Sequence, residues 1–325
     1  MKRNTKNSIV LGIDLGGTKL ASALFDYDGN ILHRDFRKLD NRQGKEVGKL
    51  VTGCLKELTD IAESWGGRVS SAGISIPGIS HIGKGTVWAP NIPGWNNYPL
   101  MKEVKEITGD IPVVIDSDRS CHIMGEVWKG NASGCRNAVY MAVGTGIGAG
   151  ILANGEILRG NNDISGAIGW MSLDRPFRDE YKQCGCFEYH ASGEGIAKVA
   201  RYYISKDKSY NGILSKQDPC TLTSHEVIHE FRKGDPLAEK VISEAVQYWG
   251  MAAANLISLL NPEKIIFGGG LFGPLKYLIA DIKAEAIRWA QPIAAEQVIF
   301  DASALEGDAA IFGAGYMALR NINTQ

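Results

Sequence analysis

The chain has 325 residues, which suggests about two domains at roughly 150 residues each. Its formal net charge of −1 provides no general attraction for nucleic acid or anionic membranes, so neither is expected as a partner. No apolar stretch reaches the ~18–20 residues that span a bilayer, and the basic, polar start is not typical of a signal peptide. Six cysteines in a chain of this length do not suggest a disulfide framework. These features favour a cytoplasmic protein.

The first part of the chain predicts three antiparallel strands, at 8–12, 20–25 and 31–36, with a hairpin turn at Asp28–Asn30. A Rossmann domain does not begin in this way. Apolar residues then recur at spacings of three and four over 45–64, which predicts a helix. Further elements are expected in the order strand, helix, strand, helix at 69–76, 101–108, 113–115 and 119–128.

The second part of the chain predicts the same order of elements, namely strand, glycine turn and strand. The repeat comprises a strand at 137–143, a glycine turn over 144–150, and a strand at 151–153 that enters the hairpin signal Asn154-Gly155. We expect 159–190 to be irregular and helices to dominate 194–260. The remaining predictions are strands at 264–267 and 298–300 and helices at 274–289 and 309–319. The recurrence indicates a weak internal duplication.

Asp14-Leu15-Gly16-Gly17-Thr18-Lys19 lies between two predicted strands. Glycines in such a turn let backbone N–H groups converge on phosphate oxygens, and a carboxylate at the strand end can hold a hydrated Mg²⁺. A lone turn of this kind would be structural in most proteins. Two further glycine clusters, Gly144-Thr145-Gly146 and Gly268-Gly269-Gly270, also follow strands, and this favours phosphate binding.

These clusters occur together with Pro77-Gly78, Pro90-Asn91, Asp118 and Glu188 in the order seen in ROK proteins, a family of sugar kinases and repressors. The chain resembles that family from about Ile9 to Leu319. The resemblance implies an α/β chain with the two-domain actin-like (ribonuclease H-like) ATPase fold, in which the domains close a cleft on ATP and a sugar. It also implies a homodimer.

The resemblance assigns ATP or phosphate contacts to the three glycine clusters and their neighbours, namely Asp14, Gly16, Gly17, Thr18, Lys19, Gly144, Thr145, Gly146, Gly268, Gly269 and Gly270. It implies sugar contacts from Gly78, Asn91, Asp118 and Glu188, and we add Ser117 and Trp170 because they stand at two sugar-contact positions of the family. Asp14 would hold Mg²⁺ through water.

Asp118 is the candidate general base. It follows a predicted strand and opens a predicted helix, where a carboxylate can accept the proton of an attacking hydroxyl. The structural alternative is a helix N-cap, a position that Asp favours. Asp116 is a nearby competitor that fits the family pattern less well.

Several family positions differ here. Ser117 stands where the family has asparagine, Ala167 where it has a sugar-binding glutamate, and Trp170 where it has a histidine that binds sugar and zinc. Of the zinc cysteines only Cys184 and Cys186 remain, so no structural zinc is expected.

These losses remove polar groups that could pair with sugar hydroxyls, so the identity of the sugar is left open. Trp170 is either a flat wall against a sugar or cyclitol face or a core aromatic that fills the space of the zinc module.

Two other motifs are expected to be incidental. His225-Glu226-Val227-Ile228-His229 has the zincin pattern, but no third ligand is evident and the family layout places this helix away from the cleft. Residues 268–273 match a dinucleotide fingerprint, but too little chain follows to build a Rossmann sheet.

The sequence thus predicts a carbohydrate kinase that uses ATP and Mg²⁺ on a small sugar or polyol. The predicted domains are 1–120, completed by a helix at 305–325, and a larger domain at 121–304 with nucleotide and sugar contacts. The alternative is a sugar-sensing protein with impaired catalysis. A repressor of this family is not expected, since only about ten residues precede the Asp14 turn, too few for a helix-turn-helix.

Overall fold

The computed structural model describes residues 8–323 and divides into two compact units. Unit 1 comprises the chain up to Gly134, the segment Ile157–Ser165 and the chain from Ala304. Unit 2 comprises Cys135–Glu156 and Gly166–Ser303. The segment Ile157–Ser165 is therefore an excursion from unit 2 into unit 1.

The strands are β1 Ser8–Leu15, β2 Lys19–Phe25, β3 Ile31–Lys38, β4 Arg68–Ile76, β5 Ile79–His81, β6 Thr86–Trp88, β7 Val113–Ser117, β8 Ala138–Val143, β9 Ile147–Ala153, β10 Glu156–Ile157, β11 Lys264–Gly268 and β12 Ile299–Ala302. The helices are α1 Lys45–Ser64, α2 Leu100–Thr108, α3 Asp118–Lys129, α4 Tyr181–Cys184, α5 Cys186–Ala191, α6 Gly193–Lys206, α7 Ser224–Phe231, α8 Pro236–Leu260, α9 Phe272–Leu275, α10 Ile279–Ile287, α11 Pro292–Gln297 and α12 Ala309–Asn323. Most predicted elements are present, and helix 45–64 has the predicted bounds.

Unit 1 contains a five-stranded sheet in the order β3-β2-β1-β4-β7. The first three strands are antiparallel as predicted, whereas β4 and β7 run parallel to β1. The carboxyl ends of three strands therefore meet at one edge. The register there pairs Asp14 with Ser75 and Ser75 with Asp116.

Helix α12 packs against this sheet at backbone contact distance. A Cβ atom on Gly73 of β4 would lie 1.9 Å from the carbonyl oxygen of Ala314, and one on Gly12 of β1 would lie 2.7 Å from that of Ile311. Only glycine permits so close an approach. The last helix thus completes the core of the unit that begins the chain.

Unit 2 repeats this topology. Its sheet has the order β10-β9-β8-β11-β12, with β8 and β9 antiparallel and β11 parallel to both β8 and β12. The long helix α8 contributes much of the apolar core, including the fully buried Trp249. The predicted internal duplication is confirmed by the two matching strand orders.

Three predictions differ from the structure. The glycine turn over 144–150 is shorter, because β9 begins at Ile147. The predicted helix 274–289 is broken into α9, a 3-10 turn at Lys276–Leu278, and α10. The irregular stretch 159–190 contains α4 and most of α5.

The predicted domain boundary at 120 and 121 falls inside α3, which packs on α12 and belongs to unit 1. Across residues 8–323, no helix has the length and apolarity needed to cross a membrane.

Candidate active site

The Asp14 turn lies at the carboxyl edge of the unit 1 sheet, between β1 and β2. The N–H of Gly16 donates to the carbonyl of Lys19 at 2.8 Å and closes the turn. The next two N–H groups, those of Gly17 and Thr18, have no hydrogen-bond partner among residues 8–323. Two adjacent free N–H groups in a glycine turn form a concavity that suits a phosphate oxygen.

Asp14 is partly buried at the base of this turn. Its Oδ1 accepts a hydrogen bond from Ser75 Oγ at 2.9 Å, and Oδ2 has no partner within the described part of the chain. Burial raises the pKa of the Asp14 carboxyl, and the charge of Asp118 raises it further, whereas His122 and Lys19 oppose the shift. A carboxylate with one unused oxygen and an unfavourable burial fits a cation-bound water, so the residues present fit Mg²⁺.

Asp118 is the first residue of α3, and the preceding Ser117 is the helix N-cap. The capping alternative for Asp118 is therefore wrong. Oδ1 of Asp118 accepts the N–H of Arg119 at 2.8 Å and the hydroxyl of Ser117 at 3.2 Å. Oδ2 has no hydrogen-bond partner among residues 8–323. The carboxylate is thus held by one oxygen, and the other can accept a proton.

Asp116, the competing acid, is engaged on both oxygens. Oδ1 accepts the N–H of Ser117 at 2.7 Å, and Oδ2 accepts Nε of Arg159 at 3.1 Å together with an Nη of the same guanidinium. The Asp116 side chain is only 6% exposed. A buried carboxylate paired in this way is poorly placed to act as a base.

Gly78 and Asn91 belong to the same unit. A Cβ on Gly78 would lie 2.0 Å from the carbonyl oxygen of Trp88, so the hairpin of β5 and β6 requires glycine there. Asn91 is exposed, and its Cβ would lie 3.6 Å from a Cβ on Gly17. Of these two predicted sugar ligands, Asn91 therefore lies beside the Asp14 turn.

In unit 2 the two predicted glycine clusters line one cavity of about 750 Å³. Gly144 and Thr145 contribute from the turn after β8, and Gly270 contributes from the turn after β11. The N–H groups of Thr145 and Gly146 have no partner within residues 8–323, which repeats the arrangement at Gly17 and Thr18. The cavity is large enough for a small ligand, and its glycine turn suits phosphate.

The other side of this cavity was not predicted. It is formed by the start of α6, Arg201, and the segment 219–225 that enters α7. Arg201 donates to the carbonyl of Leu222 at 2.8 Å and so holds that segment in place. His225 of the zincin-like motif is among the lining residues, so its helix is not remote from the site. Among residues 8–323 no group of three or more His, Cys, Asp or Glu side chains could hold a metal ion.

Glu188 of α5 lies against the second glycine turn. Its Oε2 accepts the N–H of Ile147 at 2.6 Å, and a Cβ on Gly146 would lie 2.7 Å from the same oxygen. Burial raises the pKa of the Glu188 carboxyl, while the bond from Ile147 and the charge of Lys198 oppose that shift. The carboxylate also touches the Gly169 turn, which carries Trp170.

Trp170 is 57% exposed, so it does not fill the core in place of a zinc module. It lines a cavity of about 850 Å³ in unit 2, together with Arg175, Phe177 and Tyr181. Beneath this cavity the hydroxyl of Tyr181 lies 2.8 Å from Nε2 of the buried His190. A hydrogen-bonded aromatic cluster thus occupies the segment in which the family resemblance would place zinc ligands.

The predicted site residues therefore form one group in each unit. Unit 1 holds Asp14, Gly16, Gly17, Thr18, Lys19, Gly78, Asn91, Ser117 and Asp118. Unit 2 holds Gly144, Thr145, Gly146, Trp170, Glu188, Gly268, Gly269 and Gly270. Sequence reasoning missed Arg159 and Arg119 in the first group and segment 219–225 in the second.

Comparison with known proteins agrees with this geometry. The sequence model of the ROK family matches residues 10–321. A glucokinase of Halalkalibacterium halodurans is 32% identical over 97% of this chain and 96% of its own. A xylose repressor of Caldicellulosiruptor bescii is 28% identical over 82% of this chain and 67% of its own. The structure of a ROK hexokinase from Thermus thermophilus superposes with a TM-score of 0.80 at 26% identity, covering 98% of this chain and 100% of that one. The predicted actin-like fold is confirmed.

Proposed function

This chain belongs to the ROK family, and we propose that it transfers the terminal phosphoryl group of ATP to a hydroxyl of a sugar or sugar-like polyol, with Asp118 as the general base. The observation that carries the proposal is the hydrogen bonding of the Asp118 carboxylate. One oxygen is fixed by two hydrogen bonds, and the other is available, in the same unit as the Asp14 turn.

In the reaction, Asp118 accepts the proton of the attacking sugar hydroxyl while the oxygen of that hydroxyl forms a bond to the γ-phosphorus. The bond from that phosphorus to the β–γ bridging oxygen breaks, and ADP leaves. Because the transition state of phosphoryl transfer is loose, the protein contributes mainly position and charge. One well-placed acceptor is therefore sufficient for the base.

The nucleotide is assigned to the glycine turns. The free N–H groups at Gly17, Thr18, Thr145 and Gly146 are suited to phosphate oxygens, and the cavity beside Gly270 takes the adenosine. Asp14 would hold Mg²⁺ through water, and the cation would supply neutralisation of phosphate charge. Gly78, Asn91, Trp170 and Glu188 are proposed to surround the sugar.

The first test is ADP release with MgATP across hexoses, amino sugars, N-acetylhexosamines and cyclitols. We expect ADP release that depends on one class of compound, and we expect Asp118→Asn to lower kcat by ~10²–10⁴-fold, the range typical of general bases. The exposed Asp60→Asn is the matched control and should retain activity. Retained turnover in Asp118→Asn would show that Asp118 is not the general base.

A sugar-sensing protein without turnover is the second candidate. It is favoured by the Ser117 hydroxyl, which is already occupied by Asp118 and Arg119, and by Ala167 at the family's glutamate position. This candidate predicts that a sugar raises Tm although no compound on the panel yields ADP. By analogy with the family, we further propose that the protein is cytoplasmic and forms a homodimer. Light scattering at several concentrations tests the dimer.

A further inference from the structure

The side chain of Arg119 folds back along the first turn of α3 onto the N-cap residue. Its Nε donates to Ser117 Oγ at 3.1 Å, and its backbone N–H approaches the same oxygen at 3.3 Å. Ser117 Oγ in turn donates its single proton to Oδ1 of Asp118 at 3.2 Å. The guanidinium and the candidate base are therefore linked through one hydroxyl.

That hydroxyl has little hydrogen-bonding capacity left for a sugar. A serine hydroxyl offers one proton and two lone pairs. Asp118 takes the proton, and Nε of Arg119 takes one lone pair at 3.1 Å. The backbone N–H of Arg119, whose shorter bond at 2.8 Å goes to Asp118 Oδ1, reaches the other lone pair at 3.3 Å. A sugar hydroxyl could bind Ser117 only by displacing one of these bonds. The polar contact expected of Ser117 must therefore come from a neighbour.

The neighbour with unused capacity is Arg119. Among residues 8–323 the two terminal amino groups of Arg119 have no hydrogen-bond partner. Within the same residues, no carboxylate oxygen forms an ion pair with its guanidinium, for which the N···O distance would be at most 4.0 Å. By contrast, Arg34, Arg37 and Arg159 of the same unit each pair with a carboxylate. Asp116 is unavailable to Arg119 because it is bound by Arg159.

We propose that Arg119 is the specificity-determining residue of the acceptor site and binds an anionic substituent, a carboxylate or a phosphate, on the sugar whose hydroxyl reacts at Asp118. This inference rests on the proposed kinase function. A guanidinium is permanently charged, donates only, and presents its N–H groups as a planar fork that matches carboxylate and phosphate oxygens. Its attachment to Ser117 fixes the fork beside the base.

The test compares kcat/KM of the intact protein for a neutral hexose, the uronic and aldonic acids derived from it, and its monophosphate. We expect kcat/KM for either the sugar acids or the sugar monophosphate to exceed kcat/KM for the neutral hexose. The compound class with the higher value shows whether Arg119 binds a carboxylate or a phosphate. Arg119→Met should lower the ratio of anionic to neutral kcat/KM by about 10- to 100-fold, as expected for loss of a charge-assisted hydrogen bond. The loss should appear mainly as a higher KM for the anionic compound.

Arg119→Lys keeps the charge without the fork, so it should recover more of the selectivity for a phosphate than for a carboxylate. Arg68→Met, at an exposed arginine of the same unit, is the matched control and should leave the ratio unchanged. Far-UV circular dichroism verifies that each variant is folded, and Arg119→Gln replaces Arg119→Met if Arg119→Met does not fold.

An unchanged ratio in Arg119→Met overturns the inference while leaving the kinase function in place. So does an equal loss of kcat for all sugars, because it assigns Arg119 to the transferred phosphoryl group. If no compound releases ADP, the kinase proposal fails, and the inference is then decided by calorimetric binding of the same compounds. Preferential binding of an anionic sugar that Arg119→Met abolishes supports it, and equal binding by the two proteins overturns it.

Discussion

Loss of the Arg159 side chain should destabilise unit 1 far more than loss of an ordinary surface arginine. Asp116 is 6% exposed and Arg159 is 30% exposed, and the guanidinium supplies two of the hydrogen bonds to the carboxylate. Removal of one partner of a buried pair costs about 3–5 kcal/mol because the other charge stays buried. Water that enters beside the partly exposed arginine site offsets part of this cost. We expect Arg159→Ala to lower the free energy of unfolding by about 2–3 kcal/mol.

The assay is urea unfolding followed by circular dichroism and tryptophan fluorescence. Arg34→Ala is the matched control, since Arg34 also pairs with a sequence-distant aspartate, Asp308, but both side chains are about one-third exposed. That variant should cost less than about 1 kcal/mol. The double variant Asp116→Asn with Arg159→Ala removes the stranded charge, so it should be more stable than Arg159→Ala alone. A cost below about 0.5 kcal/mol for Arg159→Ala, or a double variant less stable than the single one, would refute the reasoning.

Gly73→Ala should lower Tm strongly, because its Cβ would lie 1.9 Å from the carbonyl oxygen of Ala314 and would force α12 off the sheet. Gly53→Ala, in α1 with no atom within 4 Å of its Cβ, is the control and should raise stability by about 0.5–1 kcal/mol; similar Tm values for the two variants would contradict the close packing. Asp14→Asn should raise Tm at neutral pH, because a carboxyl whose pKa is raised by burial destabilises the fold when ionised. That gain should shrink as the pH falls through the raised pKa of Asp14, and a gain that persists at pH 3 would show that ionisation is not its cause.

Much of the fold could be predicted because its signals are local. The strand patterns, the hairpin turns and the glycine clusters each occupy a few adjacent residues, and the glycine turns do lie at strand ends in both units. The excursion 157–165 could not be predicted, since a contact that ties it to unit 1, between Arg159 and Asp116, joins residues 43 positions apart. Residues 219–224 carry no ligand-binding motif, and only their contacts place them in the cavity. The engagement of the Ser117 hydroxyl by Arg119 depends on a side-chain rotamer that the residue pattern does not specify.

The position of α12 also bears on how the protein is made. Unit 1 begins the chain, yet the helix that covers its sheet follows all of unit 2 in the sequence. Until residues 309–323 leave the ribosome, β1 and β4 lack the helix that packs most closely on them. Unit 1 therefore cannot complete its core first, as N-terminal domains usually do, because all of unit 2 is synthesised before α12.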